Sequence, residues 1–189
     1  MARPRTRPLP NPRSGRPEGR PPSGVVERSA RTEVERAIDL AWQAVEMRER
    51  TVTELRAFLE RKRAEPAAIQ AAVAELQIAG YLDDAGYAKR FAEDKRTLDS
   101  WGSERIARDL HRRGVAPEHV QAALEGRGWQ AELSSALELL AQREPGVPKD
   151  DRERQRLWGL LVRRGYASEL AYEAVREHAR RAQGRPQAA

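Results

Sequence analysis

The residues able to do chemistry in this sequence are three histidines (His111, His119, His178) and two acidic pairs, Asp83-Asp84 and Asp150-Asp151. A metal site needs three or four ligands at recurring short spacings. None of the histidines stands at such a spacing from a carboxylate, so all three read as surface residues. Each acidic pair precedes an apolar-periodic segment, where a carboxylate caps free N–H groups and complements the helix dipole. Gly114 and Gly165 follow Arg-Arg pairs and read as helix ends, not as a phosphate-cradling loop. No nucleophile elbow and no Ser-His-Asp order is present, and with no cysteine there is neither a disulfide nor a thiolate ligand. The expectation is a protein without catalytic residues, cofactor or metal, acting by binding.

Cations are the better candidates for that binding. Basic pairs recur at Arg61-Lys62, Arg112-Arg113 and Arg163-Arg164. Cations in a last helical turn complement the macrodipole by ~0.3–1 kcal/mol each, which explains them without any partner. At 100° per residue, however, Lys62, Arg113 and Arg164 fall beside the apolar stripe, where long stems snorkel. Arg61, Arg112 and Arg163 point away from it. Arg105, Arg108 and Arg112 also form an i, i+3, i+7 row suited to phosphates or acidic protein patches, although Glu104 and Asp109 weaken its field. Trp101, beside Gly102, is a candidate contact, whereas Trp42 belongs to an apolar stripe. Tyr81, Tyr87 and Phe91 are expected at the seam between the first two modules described below.

These residues must be positioned by helices. Charged residues make up 34% of the 189 and aromatics 5%, and Ala, Leu, Glu and Arg, all strong helix formers, dominate. No apolar run approaches the ~18–20 residues needed to span a bilayer, and the basic N-terminus lacks the apolar core of a secretory signal, so a cytoplasmic protein is expected. The net charge of +6 is local. Residues 1–31 hold eight arginines against Glu18 and Glu27, leaving the rest of the chain neutral. That Arg/Pro-rich tail cannot bury enough apolar surface to offset its ordering and is expected to be disordered, as is 183–189.

Between the tails, one pattern returns at an offset of 51 residues: Leu55, Ile106, Leu157; Leu59, Leu110, Leu161; Pro66, Pro117, Ser168; Val73, Leu124, Val175. Each copy divides into three helices. First helices carry the stripes Ile38, Ala41, Trp42, Val45; then Tyr87, Ala88, Phe91, Leu98; then Leu133, Ala136, Leu137, Leu140. Thr51-Val-Thr-Glu54 has the form of a capping box. The spacing predicts an all-α chain of three tandem three-helix, helix-turn-helix-like repeats over 32–82, 83–128 and 129–182. A unit of about 45 residues holds little core alone, so stacking into an elongated, curved body follows.

Gly80-Tyr-Leu-Asp-Asp84 with Tyr87-Ala-Lys-Arg-Phe91, Trp101-Gly-Ser-Glu-Arg-Ile106 with Leu110-His-Arg-Arg-Gly114, and Leu161-Val-Arg-Arg-Gly-Tyr166 together resemble the RecX family, from about Glu33 to His178. The resemblance implies a cytoplasmic modulator of the RecA recombinase, lodged in the groove of the RecA–single-stranded DNA filament and restraining ATP hydrolysis, strand exchange and co-protease activity. Arg63 departs from the pattern, standing where the other copies have Gly. The Arg/Pro tail lies outside the resemblance; its charge suits weak, salt-sensitive contact with DNA, duplex included. The alternatives are a helix-turn-helix DNA-binding regulator, against which the neutral body counts, or a helical scaffold for another protein.

Overall fold

The computed structural model describes residues 23–183. It contains α1 (Ser23–Met47), α2 (Val52–Arg61) and α3 (Pro66–Ile78), then α4 (Asp84–Thr97), α5 (Ser103–Arg112) and α6 (Pro117–Leu124), then α7 (Trp129–Arg143), α8 (Asp151–Arg164) and α9 (Ser168–Gln183). No strand occurs among the described residues. Helix α1 starts at Ser23, earlier than the boundary expected at residue 32. No proline lies between Pro22 and Pro66, and adding residues to an existing helix costs far less than nucleating one. The expectations for residues 1–22 and 184–189 lie outside the described residues.

Local sequence sets the helix ends. Pro66 and Pro117 open α3 and α6, where their fixed φ fits and no N–H is missed. Asp83 and Asp150 cap α4 and α8, accepting from Gly86 N at 3.0 Å and Glu153 N at 2.8 Å. Only half of the expected capping box forms. The Thr51 hydroxyl accepts from Glu54 N at 3.1 Å, but the Glu54 carboxylate turns away to Arg48 and Arg113. Two guanidinium groups outcompete one backbone amide for it.

Helices pack in threes: α1 on α2 and α3, α4 on α5 and α6, α7 and α8 on α9. Each trio has its own cluster. Leu55, Leu59 and Leu76 are completely buried in the first, Ile106 and Leu110 in the second, and Leu161 with Leu140 in the third. Burying each such side chain stabilises by ~1.5–3 kcal/mol. Two stripe positions behave differently from expectation. Leu98 is 80% exposed: as the C-cap of α4 it keeps a helical backbone, but the last buried residue of that helix is Ala92 and its final turn runs past the cluster. Leu124 is only half-buried, the inward position at the end of the short α6 being taken by Ala123.

Tyr166 sits in the third cluster at 1% exposure, and burial pushes its phenol up to about 12. The unfolded chain therefore loses this proton near pH 10 while the folded chain keeps it, so stability falls as pH rises from 10 towards 12. The difference corresponds to about 2–3 kcal/mol. Urea midpoints across this window should drop more steeply for the natural chain than for Tyr166→Phe.

Candidate functional site

The modules are joined by one arrangement used twice. At the first joint, the C-terminal carbonyls of α5 meet the N-terminal turn of α2: Thr51 Oγ1 donates to Arg113 O at 2.6 Å and Thr53 Oγ1 to Gly114 O at 3.2 Å. At the second, α8 meets α5 in the same way, with Gly102 N donating to Arg164 O at 2.9 Å and Glu104 N to Gly165 O at 3.1 Å. A carboxylate from the following module's first helix completes each joint. Asp84 Oδ1 accepts from Val52 N at 2.9 Å, and Glu132 Oε1 from Ser103 N at 2.7 Å. Burial raises the Asp84 carboxyl above its ordinary range. The negative end of one helix thus faces the positive end of the next, a favourable dipole arrangement.

This geometry explains Gly114 and Gly165. Both have positive φ (77° and 86°), and both are pressed against the neighbouring module. A Cβ on Gly114 would lie 2.3 Å from Thr53 Oγ1, and one on Gly165 2.2 Å from Arg105 Cβ. Arg63 holds the same left-handed conformation, φ 59°, but is exposed instead of being pressed against another module. At the other end, α8 begins three positions ahead of Arg154, the residue in register with Val52 and Ser103.

Arg61, Arg112 and Arg163 are all exposed at the free edge of their second helices. Arg112 keeps 74% of its side-chain surface while paired with Asp109 at 2.9 Å, an exposed pair that holds it weakly. Arg108 is exposed as well. Arg105 and Trp101 are engaged inside the protein. The Arg105 guanidinium lies 3.9 Å from the Trp101 ring centroid and donates to Arg163 O at 3.3 Å; Lys95 lies 4.9 Å from the same ring. The partners of Lys62, Arg113 and Arg164 also go beyond snorkelling. Lys62 and Arg113 rest over Phe58 and Phe91, Arg113 reaches Glu54 at 2.8 Å, and Arg164 donates to Asp99 O.

Two expectations need correction. Tyr81, 63% exposed, packs edge-on against Trp42 of its own module at 4.7 Å and is not at the first seam, whereas Tyr87 and Phe91, part of the second module's cluster, border it: Arg113 lies over Phe91 and reaches Glu54 of the first module. His178 is buried, its Nε2 lying 2.8 Å from Glu144 O, because the long connection before α8 folds back onto α9. Among the described residues, no group of three or more His, Cys, Asp or Glu side chains is placed to hold a metal ion. Sequence reasoning missed a cleft of about 880 Å³ between α8 and α9, lined by Trp158, Tyr172, Val175, Asp151 and Arg176. Its signal was the aromatic pair at positions where the second copy carries Ala107 and Gln121 and the first Arg56 and Gln70.

The second module, α4 to α6, coincides with a match to the family model described as RecX, second three-helix domain, over residues 83–124. The regulatory protein RecX of Deinococcus radiodurans is 31% identical over 177 residues, covering 94% of this chain and 83% of that protein. The chain belongs to the RecX family. A second RecX relative, from Trichlorobacter lovleyi, is 37% identical over 127 residues, covering 65% of this chain and 82% of its own length. In solved structures, RecX from Lactobacillus salivarius shares the fold with a TM-score of 0.68 at 16% identity, over 78% of this chain and 97% of that one. Another structure of regulatory protein RecX gives 0.70 at 18% identity, over 82% and 77%. Family membership makes the chain a regulatory protein, and no described helix is long and apolar enough to cross a membrane.

Proposed function

We propose that this RecX-family chain regulates the RecA recombinase in the cytoplasm by binding along the RecA–single-stranded DNA filament. In doing so it inhibits ATP hydrolysis, strand exchange and co-protease activity, and so tunes homologous recombination, DNA repair and the SOS response. It acts as a monomer without catalytic residues or cofactor. The observation carrying this reading is the exposed cation repeated once per module, Arg61, Arg112 and Arg163, on a serial array. A regular row of positive charge suits a partner that is itself periodic and acidic, whether the acid is carboxylate or DNA phosphate. A helix-turn-helix regulator would read bases with the N-terminal residues of its recognition helix. The N-terminal turns of the basic helices α2 and α5 are covered by the next module.

The test is RecA ATPase on single-stranded DNA with the protein titrated in. Inhibition well below one copy per RecA protomer is expected. No inhibition, together with tight duplex binding, would transfer the assignment to the DNA-binding regulator.

A further inference from the structure

Each joint has two halves, and one of each kind is left open in the described array. The first half is the turn between a module's second and third helices. At Gly114 and Gly165 it is pressed onto the preceding module, but the equivalent turn of the first module, Arg61-Lys62-Arg63, is exposed. The Lys62 carbonyl is in register with those of Arg113 and Arg164, which accept across the joints at 2.6 and 2.9 Å; it takes only a 3.4 Å bond from Arg36 of its own module. The other half is the N-terminal end of a second helix. On α2 and α5 the next module covers it. On α8 the same end borders the cleft of about 880 Å³, which runs from Asp151 to Trp158 against α9.

The two open halves are complementary. Gln155 is in register with Thr53 and Glu104, the residues that bond the carbonyls of Gly114 and Gly165. The earlier start of α8 draws the Gln155 backbone N–H into the helix, but its side-chain amide lines the cleft and supplies the same kind of donor. Arg63 brings a long cation where the joints have glycine, and needs room that Gly165, 2.2 Å from Arg105 Cβ for any added Cβ, does not have. The cleft provides that room and lines it with Trp158 and Tyr172. A guanidinium over an aromatic face is attractive, and each existing joint holds one: Arg113 lies 5.1 Å from the Phe91 ring centroid and Arg105 3.9 Å from that of Trp101. Arg154 and Arg176 on the cleft wall each stand beside an acid, Asp151 at 2.9 Å and Glu173 at 3.9 Å, while the exposed Glu169 on the rim faces an incoming cation. We infer that this cleft receives the Arg61–Pro66 turn of a second copy of this chain, with Arg63 entering against Trp158 and Tyr172 and the Gln155 amide meeting the Arg63 carbonyl.

Turn and cleft lie on the first and third modules, two joints apart, so a chain does not fill its own cleft. The contact is heterologous and extends into an open line of copies instead of closing a dimer. It rests on the filament-binding function proposed above, because a filament is what lines the monomers up. Neighbours held there meet at high effective concentration, so a contact that is weak in free solution makes their binding cooperative.

The chain has no cysteine, so introduced thiols report the contact. Glu65→Cys, on the turn, and Arg176→Cys, on the cleft wall, are made as full chains and treated with a short bis-maleimide linker on RecA–single-stranded DNA filaments. The mixture is expected to give a cross-linked pair, and neither variant alone should. Adding Tyr172→Ser to the cleft partner, or Arg63→Glu to the turn partner, is expected to cut the yield about tenfold. Melting temperatures should not change, since both side chains are exposed. Either variant cross-linking alone as efficiently as the mixture would overturn the inference. So would a yield that stays within twofold after both Tyr172→Ser and Arg63→Glu. If the natural chain does not sediment with filaments, the proposed function is what fails, and the same comparison in concentrated free solution decides the contact by the same two outcomes.

Discussion

Gly165→Ala is expected to destabilise the chain by about 2–4 kcal/mol, whereas Arg63→Gly should change stability by less than about 1 kcal/mol. The two positions are in register and share a left-handed backbone, with φ 86° and 59°. Conformational strain alone therefore predicts comparable, modest effects. The difference comes from packing. A methyl at 165 must enter space held by Arg105 Cβ at 2.2 Å and Arg105 N at 2.5 Å, and backbone cannot swing aside as a side-chain tip can. Separation there would also release the bonds from Gly102 N and Glu104 N to the α8 carbonyls. Urea unfolding of the two variants checks the magnitude. Hydrogen exchange at Gly102 and Glu104 checks the location, since both amides should lose protection in Gly165→Ala and keep it in Arg63→Gly. Equal effects at the two positions would mean the joint contributes little.

Reversing Arg61, Arg112 and Arg163 together to Glu should weaken binding to RecA–single-stranded DNA filaments by a few hundredfold, with the fold intact. Each cation is exposed and at most weakly tied to its own protein, so its removal costs little stability. Each reversal exchanges an attraction for a repulsion, on the order of 1–1.5 kcal/mol at a solvated rim, and three spread along a stack should act nearly independently. The loss should shrink as salt rises, because exposed charges are screened. Filament affinity and its salt dependence, measured beside a circular dichroism melt, decide the matter. Arg105→Glu is the instructive contrast. It removes the guanidinium from the Trp101 ring and from Arg163 O, so it should lower the melting temperature and expose the second joint.

The 51-residue offset made the modules legible because the repeated positions are core positions. Leu55, Ile106 and Leu157 occupy equivalent sites and are all buried, and burial tolerates only apolar letters. The joints were not legible, because their bonds are made largely by backbone. Gly102 N and Glu104 N do at the second joint what the Thr51 and Thr53 hydroxyls do at the first. Asp84 and Glu132, which cap equivalent amides, are not in register, so no letter repeats. Only the glycines carried a trace, and Arg63 departs from it where the left-handed residue is exposed. Among the candidate site residues, helical phase correctly sent Arg61, Arg112 and Arg163 outward. The engagement of Arg105 and Trp101 depends on how the third module docks, which phase along one helix does not encode. The bare Leu98 was hidden for a related reason: its place in an apolar period suggested core, but the last turn of α4 extends past its cluster, whose last residue on that helix to be buried is Ala92.

Lengthwise binding is tested most directly by electron cryo-microscopy of RecA–single-stranded DNA filaments decorated with this protein. The account predicts a continuous ribbon of helical density along the groove, three modules in series, with Arg61, Arg112 and Arg163 facing the filament. Density confined to a filament end, or a chain touching the filament through one module alone, would contradict it.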